Sequence, residues 1–320
     1  MKTKGAKLMI IFALLSMMIV MLFNSKLREQ TNETKQINLV LKSKYGSEWE
    51  QVRAGANAAA NEYGAELIIL APDYDKDVNA QMNLLESIDK EKSSAIIVAP
   101  MESEVIASST LDVNNKGIPI MNIVSEGDDE VFYSSVLTNY AQMGSLLASL
   151  MKETIGSDGE LLIVSSEEMS PNTAKKLEAI IKYLSENSTM TIKEILYTQP
   201  DIFSAKRVCR SAIVEGTFNG IIALDGIGTI GVANALKEAN RLIPVVGANV
   251  FDEELSLIEE GFINQVVNEN FFAIGYFSVE NTMNMLSKKG YSARRQIPPF
   301  SFDLDSMYKD TIEPIVFPIK

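Results

Sequence analysis

Few residues in this chain could perform chemistry, because the sequence contains no histidine and only one cysteine, Cys209. Histidine is the commonest general base, so its absence excludes the usual catalytic triads and most zinc sites. Polar side chains instead recur directly after short apolar segments. The first of these segments is also followed by a lysine and two aromatic residues. The candidate ligand-binding residues are Lys44, Tyr45, Trp49, Asp73, Glu102, Asn122, Ser125, Asp225, Asn249 and Glu269. We predict no catalytic residue, metal ligand or cofactor.

The apolar segments have the composition of β-strands, and amphipathic helical patterns separate them. The predicted strands are Ile37–Leu41, Leu67–Leu70, Ala95–Ala99, Ile118–Ile123, Val131–Val136, Glu160–Ser165, Ile192–Tyr197, Gly220–Leu224, Ile243–Ala248 and Ile263–Asn268, and one predicted helix is Glu253–Glu260. Strands that are apolar throughout, rather than alternating, indicate a parallel sheet covered by helices on both faces. The fold class is therefore α/β with doubly wound parallel sheets. In such sheets ligands bind beyond the carboxyl ends of the strands, where the candidate residues lie.

The composition limits the classes of partner. The chain has 320 residues, of which 46% are hydrophobic and 22% charged, and its net charge is -13. A length of this size accommodates two lobes, each with its own core. Nucleic-acid binding is not expected, because phosphate contacts require clustered lysine and arginine. An acidic surface otherwise indicates little beyond solubility.

The N-terminus predicts attachment to a membrane. Lys2, Lys4 and Lys7 precede an apolar run from Leu8 to Phe23, and residues 24–35 form a polar tether. No small-residue cleavage site follows the run, and no cysteine is present there for lipid attachment. We therefore predict an uncleaved signal anchor, a single transmembrane helix at residues 8–23 with the folded body outside the cytoplasm. A cleaved signal peptide with an unusual site is the alternative.

A glycine pattern offers a different function. Gly226, Gly228 and Gly231 follow a predicted strand and open a helix, and Asp252 lies about twenty residues further on, as in dinucleotide-binding sites. A distant alternative is therefore an NAD-dependent oxidoreductase. No catalytic constellation accompanies the pattern, and an exported chain is an unexpected place for such an enzyme. A tight turn beside a ligand pocket explains the glycines more simply.

A series of diffuse motifs occurs in order over residues 36–320: Ile37–Lys42 with Trp49 and Gly55, Ile96–Pro100, Gly117–Ile120, Thr138-Asn139 with Gly144, Gly220–Ala223 with Gly231, Pro244–Gly247, and Val266–Asn270 with Gly275. In their order and spacing these motifs resemble the type I periplasmic binding proteins of the ribose- and galactose-binding group. The resemblance implies two lobes joined by a three-crossover hinge and closing on a ligand. It implies an N-terminal lobe of residues 36–137 plus 270–298 and a C-terminal lobe of residues 138–269 plus 299–320.

The resemblance also suggests roles for individual residues. It implies that Trp49 stacks on a sugar ring and that Asp225, Asn249 and Glu269 are the main polar ligand contacts. The alternatives are core packing for Trp49 and capping of the following helix for each of the three polar residues. The sequence departs from sugar binders where they carry Asp-Arg, because Val124-Ser125 stands there, and where they carry a helix arginine, because Ala174 and Lys175 occupy that region. Without these bidentate arginine contacts, an ordinary pentose or hexose is less expected than another small polar, sugar-like ligand, or a protein.

Two roles remain open for such a protein. A binding protein held at the membrane by one helix is suited to presenting its ligand state to a membrane neighbour, so we predict a sensor subunit paired with a two-component histidine kinase. The alternative is a tethered substrate-binding receptor for an ABC sugar importer and its permease. A lac-repressor-like regulator is not favoured, because the chain begins with an apolar run rather than a helix-turn-helix.

Overall fold

The computed structural model describes residues 34–74, 77–101, 117–125, 131–166, 168, 170–309 and 312. The predicted anchor at residues 8–23, most of the tether, Glu102 and residues 313–320 lie outside these ranges. Within the described part of the chain, no helix is long and apolar enough to span a membrane.

The strands form two sheets that use separate parts of the chain. The first sheet contains β1 (Gln36–Val40), β2 (Glu66–Leu70), β3 (Ser93–Val98), β4 (Ile120–Ile123), β5 (Ser134–Thr138) and β11 (Arg294–Ile297). The second contains β6 (Glu160–Ser165), β7 (Thr191–Tyr197), β8 (Gly220–Ala223), β9 (Val245–Ala248), β10 (Gln265–Asn268) and β12 (Phe300–Phe302). Their orders, β11-β5-β4-β3-β1-β2 and β12-β10-β9-β8-β6-β7, correspond position by position. The two sheets therefore have the same strand order.

Helices cover both sheets. The first sheet is associated with α1 (Ser47–Tyr63), α2 (Val78–Ser87) and α8 (Phe271–Leu286). The second is associated with α3 (Tyr140–Ile155), α4 (Pro171–Asn187), α5 (Ile202–Glu215), α6 (Gly226–Ala239), a 3-10 turn (Asp252–Leu255) and the short α7 (Ser256–Glu259). The central strands are buried along nearly their whole length, as their apolar sequences require. The predicted α/β fold with two parallel-sheet lobes is confirmed.

The chain passes from one sheet to the other at three places. It leaves β5 for α3 at Asn139, returns from β10 to α8 at Glu269–Asn270, and leaves β11 for β12 at Pro298–Pro299. These three connections join the lobes, and we refer to them as the hinge. The predicted domain boundaries stay a prediction. A boundary states which parts of the chain move as one unit, and a single structure shows no movement.

Close helix contact fixes the position of α1. A Cβ built on Gly55 would lie 2.0 Å from the carbonyl oxygen of Phe272, and one on Gly275 would lie 2.1 Å from that of Val52. Only glycine permits backbones to approach this closely, so α1 and α8 pack with their main chains in contact. This contact holds the first turn of α1 beside the start of α8, next to the second crossover.

Several elements differ from the sequence prediction. The predicted helix Glu253–Glu260 is a 3-10 turn followed by α7, and the strand predicted at Val131–Val136 begins at Ser134. Strands β11 and β12 were not predicted, and β12 pairs antiparallel with β10 at the edge of an otherwise parallel sheet. Both are short edge strands, and β11 begins with two arginines, so neither has the continuous apolar sequence of a buried strand.

Candidate ligand-binding cleft

A cleft of about 610 Å³ separates the two lobes. The first lobe contributes the loop after β1, the first turn of α1 and the start of α8, and the second contributes segments that follow β6, β8 and β9. Its lining residues are Gly46, Ser47, Glu48, Glu50, Ser166, Asp225, Gly226, Ile227, Ile230, Asn249, Phe251, Glu254 and Phe271. Most of these segments follow the carboxyl ends of parallel strands, where ligands bind in α/β sheets.

Asp225 lines the cleft and connects two of the segments that form it. It is the N-cap of α6, and its Oδ1 accepts a hydrogen bond from the amide of Gly228 at 2.7 Å. Its Oδ2 accepts hydrogen bonds from the amide of Ser166 at 2.7 Å and the hydroxyl of Ser165 at 3.0 Å. The carboxylate therefore joins the end of β6 to the start of α6 and is held in one orientation.

The same carboxylate argues against a dinucleotide site. In the G-x-G-x-x-G fingerprint, the pyrophosphate lies at the helix N-terminus. Here the carboxylate of Asp225 occupies that end of α6 and would repel phosphate. The glycines also have structural explanations: a Cβ on Gly226 would lie 2.5 Å from the carbonyl oxygen of Asn249, and one on Gly231 would lie 2.6 Å from the Cβ of Ala205. The glycine pattern is therefore explained by packing.

Asn249 lines the cleft at the end of β9 and is fixed by Glu269. Its Nδ2 donates to Oε1 of Glu269 at 2.9 Å, and its Oδ1 accepts from the backbone amide of Glu269 at 3.0 Å. Its φ of 54° lies in the left-handed region, which asparagine tolerates better than most residues. With both side-chain polar atoms already bonded, the amide is held in a fixed orientation beside the cleft.

Glu269 lies in the hinge and is not among the residues that line the cleft. It is 5% exposed. Its Oε2 accepts from the hydroxyl of Thr138 at 2.6 Å and from that of Tyr140 at 3.1 Å, both at the first crossover. Since Glu269 itself belongs to the second crossover and also binds Asn249, its carboxylate links two of the three connections between the lobes. We call Thr138, Tyr140, Asn249 and Glu269 the hinge cluster.

The aromatic wall of the cleft is not the one suggested by the sequence. Trp49 is 6% exposed and packs in the core of the first lobe, and it is not a lining residue. Phe251 and Phe271 do line the cleft, with ring centroids 6.0 Å apart and planes tilted by 53°. Sequence reasoning missed both, although each follows a predicted strand by only a few residues.

Lys44, Tyr45 and Asp73 lie together on the surface of the first lobe, next to the loop that enters the cleft. The ammonium of Lys44 is 3.1 Å from Oδ1 of Asp73, and both side chains are mostly exposed. The hydrogen bond to Asp73 raises the pKa of Lys44. Tyr45 is 64% exposed, and the Lys44 ammonium lies 5.9 Å from its ring centroid. None of the three is among the lining residues.

Asn122 and Ser125 lie at the end of β4, in a strained turn outside the cleft lining. Asn122 is fully buried, and its Nδ2 donates to the carbonyl oxygen of Ser125 at 2.7 Å. Its Oδ1 has no hydrogen-bond partner among the described residues. Between the two, Val124 has a φ of 69°, which is unfavourable for a β-branched residue. Glu102 lies outside the described residues.

Comparison with known proteins identifies the family. The periplasmic binding protein domain matches residues 37–290 of this chain. The chain belongs to this family. Membership indicates a ligand-binding protein whose folded body is extracytoplasmic, and gives no support to the oxidoreductase alternative.

Individual relatives of this periplasmic binding protein are distant. The ribose import binding protein RbsB of Haemophilus influenzae is 18% identical over 77% of this chain and 83% of its own length. The D-allose-binding periplasmic protein of Escherichia coli is 22% identical over 74% of this chain and 80% of its own. The match to the xylitol-binding protein of Mycolicibacterium smegmatis, at 20% identity, covers 58% of this chain and about half, 54%, of that relative.

Solved structures share the fold. An ABC transporter solute-binding protein from Agrobacterium vitis, bound with α-D-tagatopyranose, superimposes with a TM-score of 0.81 at 16% identity, covering 88% of this chain and 99% of that one. The XylFII–LytSN complex contains a chain that superimposes with a TM-score of 0.73 at 22% identity, covering 85% and 99%. At these identities, the similarity establishes the fold alone.

Proposed function

We propose that this protein binds a small polar ligand, a sugar or a sugar-like molecule, between two lobes that close around it. The observation that carries the proposal is the cleft of about 610 Å³, lined from both lobes and bordered by the hinge. A volume of this size suits a small molecule. Ligand contacts to both lobes favour the closed state, because a ligand shifts an equilibrium by its difference in affinity for the two states.

The lining supports a ligand that is polar on its edges and apolar on a face. Asp225, Asn249, Ser47 and Ser166 offer hydrogen-bonding groups, and the Phe251–Phe271 pair offers an apolar surface. Sugar rings have this combination of hydroxyl edges and C–H faces. The relatives named for ribose, D-allose and xylitol, and the structural neighbour bound with tagatose, support the same class.

Thermal unfolding of the purified full-length protein in detergent tests the proposal. The panel contains sugars, polyols, amines and small acids. A ligand at 100 times its dissociation constant should stabilise the fold by about 2.7 kcal/mol. Phe251→Ala should abolish the response, and Tyr291→Ala, an exposed aromatic outside the cleft, should retain it. A response that persists in Phe251→Ala would mean that ligand binds elsewhere.

We further propose that the protein is a membrane-anchored sensor subunit that reports its ligand state to a membrane partner, such as a two-component histidine kinase. The predicted anchor at residues 8–23 supports a fixed position beside a membrane protein. The similar fold of the chain in the XylFII–LytSN complex supports an assembly with a second protein. Closure of the lobes would change the surface offered to that partner.

A tethered receptor for an ABC importer is the second candidate. It is supported by the relative named a ribose import binding protein and by the neighbour titled an ABC transporter solute-binding protein. Deleting the gene and measuring uptake and ligand-induced transcription separately distinguishes the two roles. Lost induction with intact uptake is expected of the sensor, whereas lost uptake with intact induction would refute it.

A further inference from the structure

An exposed loop of the first lobe carries positive charge in an acidic protein. The loop joins α8 to β11, and residues 287–293 are all exposed. Between Glu280 and Asp303 the sequence contains no acidic residue, whereas it contains Lys288, Lys289 and two arginines, in a chain whose net charge is -13. Neither of these lysines forms an ion pair with any residue that the structure describes. Their charge is therefore available to a negatively charged surface.

Local structure explains only part of this charge. Lys288 and Lys289 follow the end of α8, where the helix dipole favours a positive charge. However, Lys288 has a φ of 55°, in the left-handed region where glycine is the favoured residue, and Gly290 stands only two positions further on. A lysine in this unfavourable backbone conformation points to a role beyond ending the helix.

Two exposed tyrosines lie beside the loop on a fixed base. Tyr133 directly precedes β5, Tyr291 precedes the neighbouring strand β11, and their side chains are 48% and 46% exposed. The hydroxyl of Ser134 donates to the carbonyl oxygen of Ser292 at 2.7 Å. Buried Asn281 donates to the Ser134 hydroxyl at 2.6 Å and accepts from the amide of Ser292 at 2.9 Å. These hydrogen bonds hold the two segments together.

The predicted tether would bring this end of the lobe to the membrane. It joins β1 at Gln36, so it enters at the amino ends of the parallel strands, where the α8–β11 loop also lies. Strand β11 stands four positions from β1 in the sheet, or about 19 Å at the usual spacing. A tether of residues 24–35 can extend to about 40 Å. The loop can therefore reach the lipid surface into which the predicted anchor inserts.

We infer that the α8–β11 loop binds the anionic headgroups of that membrane, with Lys288 and Lys289 attracted by the lipid charge and the two tyrosines lying among the headgroups. Tyrosine suits this position, because its ring is apolar and its hydroxyl is polar. The inference rests on the proposed membrane anchor and adds an orientation to it. The first lobe lies on the membrane with its cleft-forming edge facing away, so closure moves the second lobe relative to the lipid.

The contact is confined to one part of the lobe, because the same end is not basic throughout. Glu66 begins β2, and Asp89 and Glu91 precede β3, at the other side of the sheet. Asp89 pairs with Lys92 at 3.3 Å. Residues 126–130, which come before Tyr133 in the sequence, are also mostly acidic and lie outside the described residues. The attraction to lipid is therefore assigned to the α8–β11 loop alone.

Fluorescence quenching in lipid nanodiscs measures this contact on the full-length protein. A fluorophore is attached through Gly290→Cys, where the glycine is surrounded by open space, whereas the native Cys209 is buried and stays unlabelled. The discs contain phosphatidylcholine alone or an equal mixture with phosphatidylglycerol, each with a quencher on a lipid headgroup. We expect strong quenching in the mixed discs only, and little for a label at Thr191→Cys, at the amino end of β7 in the second lobe. Quenching that does not depend on the lipid charge would overturn the inference.

Variants identify the groups that make the contact. Lys288→Gln and Lys289→Gln should each lower the ratio of bound to free loop about fivefold in the mixed discs. At about 1 M salt, where the screening length falls to about 3 Å, the dependence on lysine should disappear. Tyr291→Ala should weaken the contact without changing its salt dependence. Lys182→Gln, at an exposed position of the second lobe, is the matched control, and lysine replacements in the loop with no more effect than this control would overturn the inference.

The remaining outcomes separate this inference from the proposed function. A full-length protein that does not enter the discs would refute the predicted anchor, and this inference with it. An anchored protein that is stabilised by a member of the ligand panel, but shows no quenching of the label at Gly290→Cys, would overturn this inference alone. The loop would then be a surface for a protein partner instead of lipid.

Discussion

Replacing Glu269 tests whether its carboxylate holds the hinge cluster together. It accepts hydrogen bonds from Thr138 at 2.6 Å, Asn249 at 2.9 Å and Tyr140 at 3.1 Å, and its side chain is buried. Tyr140 has a second acceptor in the carbonyl oxygen of Val124, so Glu269→Leu leaves two donors without partners. At about 1.5–3 kcal/mol for each charged hydrogen bond, the loss is about 3–6 kcal/mol.

The buried leucine offsets part of this loss. Burying its side chain returns about 1.5–3 kcal/mol, so we expect Glu269→Leu to lower the free energy of unfolding by about 1.5–3 kcal/mol. Glu269→Gln should cost only about 1 kcal/mol, because its amide oxygen can still accept from Asn249 and the Thr138 hydroxyl can rotate to accept from the new NH₂ group. The ordering of the two variants is as diagnostic as their size.

Urea unfolding of the full-length protein, followed by the fluorescence of the single tryptophan, Trp49, measures both variants. Glu194→Leu, at an exposed position, controls for the general effect of replacing a carboxylate by leucine. If Glu269→Leu stays within about 0.5 kcal/mol of the wild type, or if Glu269→Gln is equally destabilised, the hydrogen bonds of the hinge cluster do not contribute as the geometry indicates.

Three further predictions concern backbone packing, backbone strain and the buried thiol. Gly55→Ala would place a methyl group 2.0 Å from the carbonyl oxygen of Phe272, so urea unfolding should show a loss of about 2–3 kcal/mol, whereas Gly290→Ala, with open space around it, should be nearly neutral. Because the φ of Val124 is 69°, Val124→Gly should be about 1 kcal/mol more stable than Val124→Ala, and the reverse order would contradict the assigned strain. Burial raises the pKa of the Cys209 thiol to about 12 from its ordinary 9.0, so the folded protein should resist alkylation at mildly alkaline pH, and rapid alkylation would refute the burial. Since the unfolded thiol ionises first, the same shift lowers the free energy of unfolding as pH rises above 9.0.

Much of the fold could be predicted because buried parallel strands have a simple sequence pattern. Strands such as β3 and β8 are apolar at nearly every position, and helices separate them. Strands β11 and β12 could not be predicted from their sequences, because an edge strand is covered on fewer sides and needs no apolar run. Their place in the sheets depends on pairing with strands that are distant in the sequence, β11 with β5 and β12 with β10, which the local sequence does not encode.

The candidate site was only partly predictable, because sequence position does not fix side-chain direction. Asp225 and Asn249 follow strands and line the cleft. Trp49 lies in the first turn of α1, where successive residues are rotated by about 100° around the helix axis, and it packs in the core while Glu48 and Glu50 line the cleft. Glu269 follows a strand as predicted, but its carboxylate binds residues from the other crossover. The roles of the candidate residues in ligand binding stay predictions.

The order in which the two sheets are completed affects how the chain folds as it is made. The first sheet receives β11 and its covering helix α8 only after the whole second sheet except β12 has been synthesised, and β12 follows last. A nascent chain ending before residue 271 therefore has neither lobe complete, with the apolar face of α1 still lacking α8. Folding of both lobes is delayed until the C-terminal residues emerge, so the chain stays without a finished core for most of its synthesis. Because the folded body is extracytoplasmic, the chain must be exported, and this late completion leaves it without a finished core while most of it is being made.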